Sequence, residues 1–183
     1  MEELTIQLDA TCDKVAILDE LMHTYGQDIL RLVYTYVHNE TIAEDLTQEI
    51  FVKCYQSLTS YKEQSSIKTW LWRIAINHSK DYLKSWYRRK VTTTDYDTIS
   101  LNAAAINVEQ TVIQREEDEQ LADTVINLPV KYREVIYLFY FEEQPIKDIG
   151  AIIGANQNTV KTRLRKGKQL LKKSLEGQQW MTD

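Results

Sequence analysis

The stretch that most limits how this chain can fold is residues 145–175, PIKDIGAIIGANQNTVKTRLRKGKQLLKKSL. Apolar residues recur at helical spacing on both sides of a glycine, so the stretch reads as two helices joined by a tight turn. The first runs from Ile146 to Ile153. Gly154 ends it, because glycine enters the left-handed conformation that a helix C-terminus often needs without a Cβ penalty. Asn156 suits the N-cap of the second helix, since its side-chain oxygen can accept from an otherwise unpaired N–H of the first turn. Val160, Leu164, Gly167, Leu171 and Leu175 fall on one side of that helix. Lys161, Thr162, Arg165, Lys166, Gln169, Lys172 and Lys173 fall on the other. No acid occurs from Gln157 to Lys173, in a chain whose net charge is −5. A solvated lysine face would give part of this pattern. The mixture of Arg, Thr and Gln with lysine favours another reading, because those side chains can hydrogen-bond base edges as well as sit near phosphates. Turn, cap and basic face together fit a helix-turn-helix whose second helix enters a major groove.

The rest of the chain reads as helix too. Five glycines and two prolines among 183 residues are few, and no run keeps a period-two alternation for long, so the expected class is all-α. No apolar stretch approaches the roughly 20 residues of a membrane span, so no membrane insertion is expected. The opening MEELTIQLDATCDK lacks the basic-then-apolar pattern of a secretory signal, which points to a cytoplasmic protein. Cys12 and Cys54 have neither a CxxC partner nor a nearby histidine and read as reduced, inert thiols. With a pI near 5.3, any nucleic-acid surface must be local, or a partner must carry part of the load. An enzyme is not expected: there is no glycine-rich phosphate loop, no metal cluster and no nucleophile beside a base, and no cofactor is implied.

Taken in order, a first helix is expected from Ala16 to Val37, with Leu18, Leu21, Met22, Tyr25, Ile29, Leu32, Val33 and Tyr36 inward. After a turn at residues 38–40, Thr41 can cap a second helix whose core stripe is Ile42, Leu46, Ile50 and Cys54. Glu44, Asp45, Gln48 and Glu49 lie off that stripe, either as a solvated face or as a polar docking face. They do not form a di-metal site, which in a helical bundle would need Glu-x-x-His motifs. Residues 57–66 are a polar break. The helix that follows carries Leu71, Ile74, Ala75, His78 and Tyr82 on one side. Arg73, Asn77, Lys80, Lys84 and Arg88 recur on another, with Trp70, Trp72, Trp86 and Tyr87 interleaved. Cations beside aromatics suit single-stranded DNA, although core packing is the better reading for Trp72. Residues 91–118 read as a linker with a short helix near Val108 to Arg115. At roughly 3.3 Å per residue it can bridge about 90 Å, more than two turns of DNA at about 35 Å each. Beyond it come a short helix, a break at Leu128-Pro129, a buried helix from Tyr132 to Phe141, and the helix-turn-helix.

This order of pieces resembles that of a bacterial RNA polymerase sigma factor of the extracytoplasmic-function group. The resemblance covers residues 20–90 and 119–175. It is carried by AEDLTQEIFVKCY, KTWLWRIAINHSKDYLKSWYRR and LPVKYREVIYLFYFEEQPIKDIGAIIGANQNTVKTRLRKGKQLL. It implies two small helical domains joined by a flexible linker: 1–90 for polymerase docking and minus-ten recognition, 91–118 as linker, and 119–183 for minus-thirty-five recognition. By the same resemblance Asp45, Gln48 and Glu49 dock on the clamp of the largest core polymerase subunit. Tyr61, Trp70, Arg73, Asn77, Lys80, Lys84 and Arg88 meet the minus-ten DNA. Thr159, Lys161, Thr162, Arg165 and Lys166 meet the minus-thirty-five DNA, and the Tyr132–Phe141 helix neighbours the flap of the second-largest subunit. An anti-sigma factor is an implied partner, and the free chain is expected to be a monomer. Trp70 is followed by Leu71, where primary sigma factors carry two adjacent tryptophans for melting. A stand-alone helix-turn-helix regulator is the competing reading; it leaves the Asp45–Glu49 face and the Thr69–Lys90 helix without a task.

Overall fold

The computed structural model describes residues 13–93 and 116–179, with the side chains of residues 89–93, 116–120 and 177–179 left out. The expected short helix near Val108 to Arg115, most of the linker, and Cys12 lie outside the described residues. Among these residues every regular element is a helix. The chain divides into two compact units, Met1–Ile99 and Ser100–Asp183.

The first unit contains α1 (Lys14–Val37), α2 (Glu40–Ser57), a single 3-10 turn (Leu58–Ser60) and α3 (Ile67–Thr93). Asp13 caps α1 by accepting from the Val15 N–H at 2.9 Å. His38 ends it in the left-handed region, φ 52°, with its N–H donating to the Tyr34 carbonyl. The cap of α2 is Asn39 rather than Thr41: its extended backbone lets Oδ1 accept from the Ile42 N–H at 2.9 Å, so the helix starts before Thr41. Ser66 caps α3 by accepting from the Thr69 N–H at 3.2 Å. The three helices pack on one another around Leu21, Ile29, Leu32, Ile50, Leu71, Trp72 and Ile76, all fully buried. Several expected core positions shift, and Leu18, Ile42, His78 and Tyr82 are only half-buried. Met22 stands 47% exposed, and Ile17 takes the inward place one turn earlier. On α3 the core stripe is wider than expected: Trp72, Ile76 and Ser79 are buried, while Ile74 is only half-buried. The cause is that α3 is covered by both α1 and α2. Trp72 meets the Tyr25 ring edge-on at 5.3 Å. Its buried indole N–H has no hydrogen-bond partner, a penalty of about 1–3 kcal/mol that burial of the large ring offsets.

The second unit contains α4 (Glu116–Ile126), α5 (Val130–Tyr140), α6 (Ile146–Ile153) and α7 (Gln157–Gln179). The buried Arg133 guanidinium donates to the Ile126 carbonyl and so satisfies the C-terminal end of α4. Helix α5 ends before Phe141, which is its C-cap. Phe141 and Tyr140 therefore stand outside the core, 57% and 51% exposed, with the Phe141 ring stacked on Tyr137 at 5.5 Å. Helix α6 has the expected bounds, and Gly154 closes it at φ 68°.

Candidate nucleic-acid and protein interfaces

Helix α7 is set by its two ends and its apolar seam. The Asn156 Oδ1 accepts from the Thr159 N–H at 2.8 Å, which starts the helix where the sequence placed it. Val160 and Leu164 are buried, each contributing about 1.5–3 kcal/mol, and Gly167 is buried with them. A Cβ on Gly167 would lie 2.9 Å from Ile136 Cγ1, so glycine lets α7 approach α5 closely. The seam leaves Lys161, Thr162, Arg165, Lys166, Gln169, Lys172 and Lys173 exposed together, and Thr159 half-buried beside the turn. One basic residue does not share that face. Arg163 Nη1 donates to Glu134 Oε1 at 3.0 Å, and the Glu134 side chain is only 2% exposed. This pair fixes the rotation of α7 against α5. Sequence reading missed it, because the partners are 29 residues apart; the available signal was an arginine adjoining the apolar seam and an acid inside an otherwise apolar helix.

On α3 the polar stripe forms as expected. Arg73, Asn77, Lys84 and Arg88 are exposed and Lys80 is half-buried. Lys84 also pairs with Asp81 at 3.1 Å. The aromatics divide. Trp70 is 6% exposed and lies against Tyr61, ring centroids 5.3 Å apart. The Tyr61 hydroxyl donates to the Ser65 carbonyl at 2.6 Å, closing the loop before α3. Within that loop Glu63 takes a left-handed backbone, φ 54°. Trp70 and Tyr61 thus wall the loop rather than project as free stacking surfaces. Trp72 is core. Tyr87, 43% exposed and edge-on to Trp86, is the ring this helix presents to solvent.

On α2, Glu44, Asp45, Gln48 and Glu49 are exposed. They are continued by two residues the sequence reading passed over, Val52 and Tyr55, 55% and 40% exposed. The helical spacing from Asp45 to Val52 and from Gln48 to Tyr55 was the signal that could have found them. This exposed face carries acids at one end and apolar side chains at the other. Glu49 Oε2 also meets His78 Nε2 of α3 at 2.7 Å. Below this face Cys54 is buried, and burial pushes its thiol up to about 12; at neutral pH it is an unreactive thiol. Among the described residues no group of three or more His, Cys, Asp or Glu could hold a metal ion, and no helix is long and apolar enough to cross a membrane.

Comparison with known proteins matches both units. Residues 21–89 match the family model of Sigma-70 region 2, and residues 118–171 that of Sigma-70 region 4. The chain is 31% identical over 163 residues to the ECF RNA polymerase sigma factor SigW of Bacillus subtilis (strain 168), covering 85% of this chain and 87% of that one. It is 32% identical over 155 residues to the ECF RNA polymerase sigma factor SigM of the same organism, covering 85% and 93%. Among solved structures it is similar to the sigma factor RpoE in complex with the anti-sigma factor NepR from Bartonella quintana. That likeness has a TM-score of 0.66 at 22% identity, over 88% of this chain and 97% of that one.

Proposed function

This chain belongs to the extracytoplasmic-function group of sigma-70 RNA polymerase sigma factors, and from that premise we propose how its two units divide the work. As a sigma factor it binds core RNA polymerase and directs it to its own set of promoters. The first unit docks through Asp45, Gln48 and Glu49 on the clamp of the largest subunit, with Val52 and Tyr55 extending the contact. The loop at Tyr61 and the exposed stripe Arg73, Asn77, Lys80, Lys84 and Arg88 bind the minus-ten strand as it opens, with Trp70 behind the loop. The second unit reads the minus-thirty-five element through Thr159, Lys161, Thr162, Arg165 and Lys166, and the exposed Tyr140 and Phe141 meet the flap. The protein works in the cytoplasm, and an anti-sigma factor holds it inactive, as the relative crystallised with NepR suggests. The observation that carries this reading is the basic face of α7, acid-free through Lys173 and exposed as a block, in a chain that is acidic overall. The test is reconstitution: purified protein added to core polymerase should restore transcription from specific promoters, and transcription no more specific than with core alone would refute it.

Two residues of α7 should separate base reading from phosphate binding. The forked Arg165 guanidinium can pair bidentately with a guanine edge, for about 1–3 kcal/mol of discrimination. Lys173 lies about two turns further along, where the helix leaves the groove. Arg165→Ala should relax preference at one position of a randomised minus-thirty-five element, assayed with holoenzyme. Lys173→Ala should weaken all sequences alike and lower the salt slope by about one. A uniform loss for Arg165→Ala would make it a phosphate clamp and shift the reading to Lys161, Thr162 or Lys166.

For the first unit, Asn77→Ala should reduce open-complex formation more than closed-complex binding, because the strand it contacts is exposed only after melting. A permanganate footprint beside a binding assay resolves the two steps. Equal losses in both would show a structural role.

A further inference from the structure

We propose that His78 is a positioning residue for polymerase docking: it holds the Glu49 carboxylate in place on the α2 face and ties that face to the helix bearing the promoter-contacting stripe. The inference rests on the reading of Asp45, Gln48 and Glu49 as the docking face and names a device that serves it. His78 Nε2 and Glu49 Oε2 are 2.7 Å apart, joining α3 to α2 across 29 residues of sequence. The two ends of the contact differ in exposure. The His78 side chain is 13% exposed and that of Glu49 60%, so a ring held in the helix packing anchors a carboxylate that faces solvent. A glutamate free to rotate would have to be ordered on docking; one already held has lost part of that freedom. The carboxylate keeps its second oxygen for a partner, since two oxygens offer about four acceptor sites. Imidazole can donate from Nε2 in its charged form and in one neutral tautomer, so the anchor does not depend on a single protonation state. The next residue back, Asn77, is exposed on the polar stripe, so the tether meets α3 at the level of a proposed strand contact.

Ion pairs with an exposed member add little to folding stability, so the effect of His78 should appear in affinity rather than in melting temperature. Ordering one flexible side chain corresponds to roughly three- to tenfold in binding. The experiment measures affinity of the full-length protein for core polymerase, with thermal melts alongside. His78→Ala should weaken binding by that factor with little change in melting. His78→Gln should restore most of it, because the glutamine amide can donate from about the position of Nε2. In a Glu49→Ala background, His78→Ala should add no further loss. Unchanged or tighter binding by His78→Ala would overturn the proposal, as would a His78→Gln variant no better than alanine, or losses that add with Glu49→Ala. Asp45→Lys separates the two levels of inference. If it weakens docking while His78→Ala does not, only the role of His78 falls; if neither has an effect, the docking face itself falls with it.

Discussion

Gly150→Ala should destabilise the second unit by up to about 2 kcal/mol and leave the first unit unaffected. An alanine Cβ at this position would lie 2.7 Å from the Ala155 carbonyl oxygen, and that atom is backbone. It cannot swing aside as a side chain would. The Ala155 N–H donates to the Gly150 carbonyl at 2.9 Å, so moving the turn away from the new methyl also breaks the bond that closes it. Overpacking of this kind costs up to about 3 kcal/mol. Better helix propensity returns about 1 kcal/mol. For a unit of this size a net loss of about 2 kcal/mol lowers the melting temperature by roughly 8–16 °C. Gly26→Ala is the control. A Cβ there has nothing within 4 Å, and Gly26 lies inside α1, so the same substitution should be neutral or stabilising. Differential scanning calorimetry of the two variants decides the matter. A Gly150→Ala protein that melts like the parent would show that the turn can open without loss, contrary to this account of the helix-turn-helix.

Reversing the charge at Asp45 and Glu49 together should reduce affinity for core polymerase by roughly 100-fold or more, since like charges brought together across an interface cost several kcal/mol. Both residues are exposed on α2, and neither belongs to its buried stripe of Ala43, Leu46, Ile50, Phe51 and Cys54. Lysine is at least as good a helix former as the acids it replaces, so α2 should stay intact. Losing the contact of Glu49 with His78 costs little stability for a pair whose acid is 60% exposed. Circular dichroism and melting should therefore match the parent while binding collapses. Unchanged binding to core polymerase, with the fold intact, would remove this face from the docking surface.

The substitutions draw on different levels of information. The bounds of α6, the left-handed Gly154, the Asn156 cap and the split of α7 into an apolar seam and a basic face were all legible in the sequence. Each is local: a cap joins residues two or three apart, and a helical stripe repeats within a few turns. The assignment of two helical units was legible for the same reason, because long periodic segments declare themselves. The cap of α2 was misplaced by two residues, since Asn39 and Thr41 are both competent caps and only the backbone of residue 39 distinguishes them.

What tertiary structure alone decided concerns which of several equivalent side chains faces what. Five aromatics follow one another along α3: Trp70, Trp72, Tyr82, Trp86 and Tyr87. Only packing sends Trp72 against Tyr25, sets Trp70 against Tyr61, and leaves Tyr87 outside. Periodicity could not sort them, because α3 is covered by two helices and its buried arc is wider than one stripe. Arg163 falls outside the basic face by its spacing, and only packing sets Glu134 beneath it. His78 falls on the apolar side of α3 by its spacing, and only packing brings Glu49 beside it. Gly150 and Gly167 read as ordinary helix positions, and only the close approach of Ala155 and Ile136 makes a side chain costly there. Arg163–Glu134 and His78–Glu49 each join two different helices across 29 residues, and proximity across such a distance is created by folding. The sequence by itself determined where the helices start, stop and turn their apolar sides. The tertiary structure decided which polar and aromatic groups those sides leave exposed, because burial is a property of neighbours that the chain brings together only when it packs.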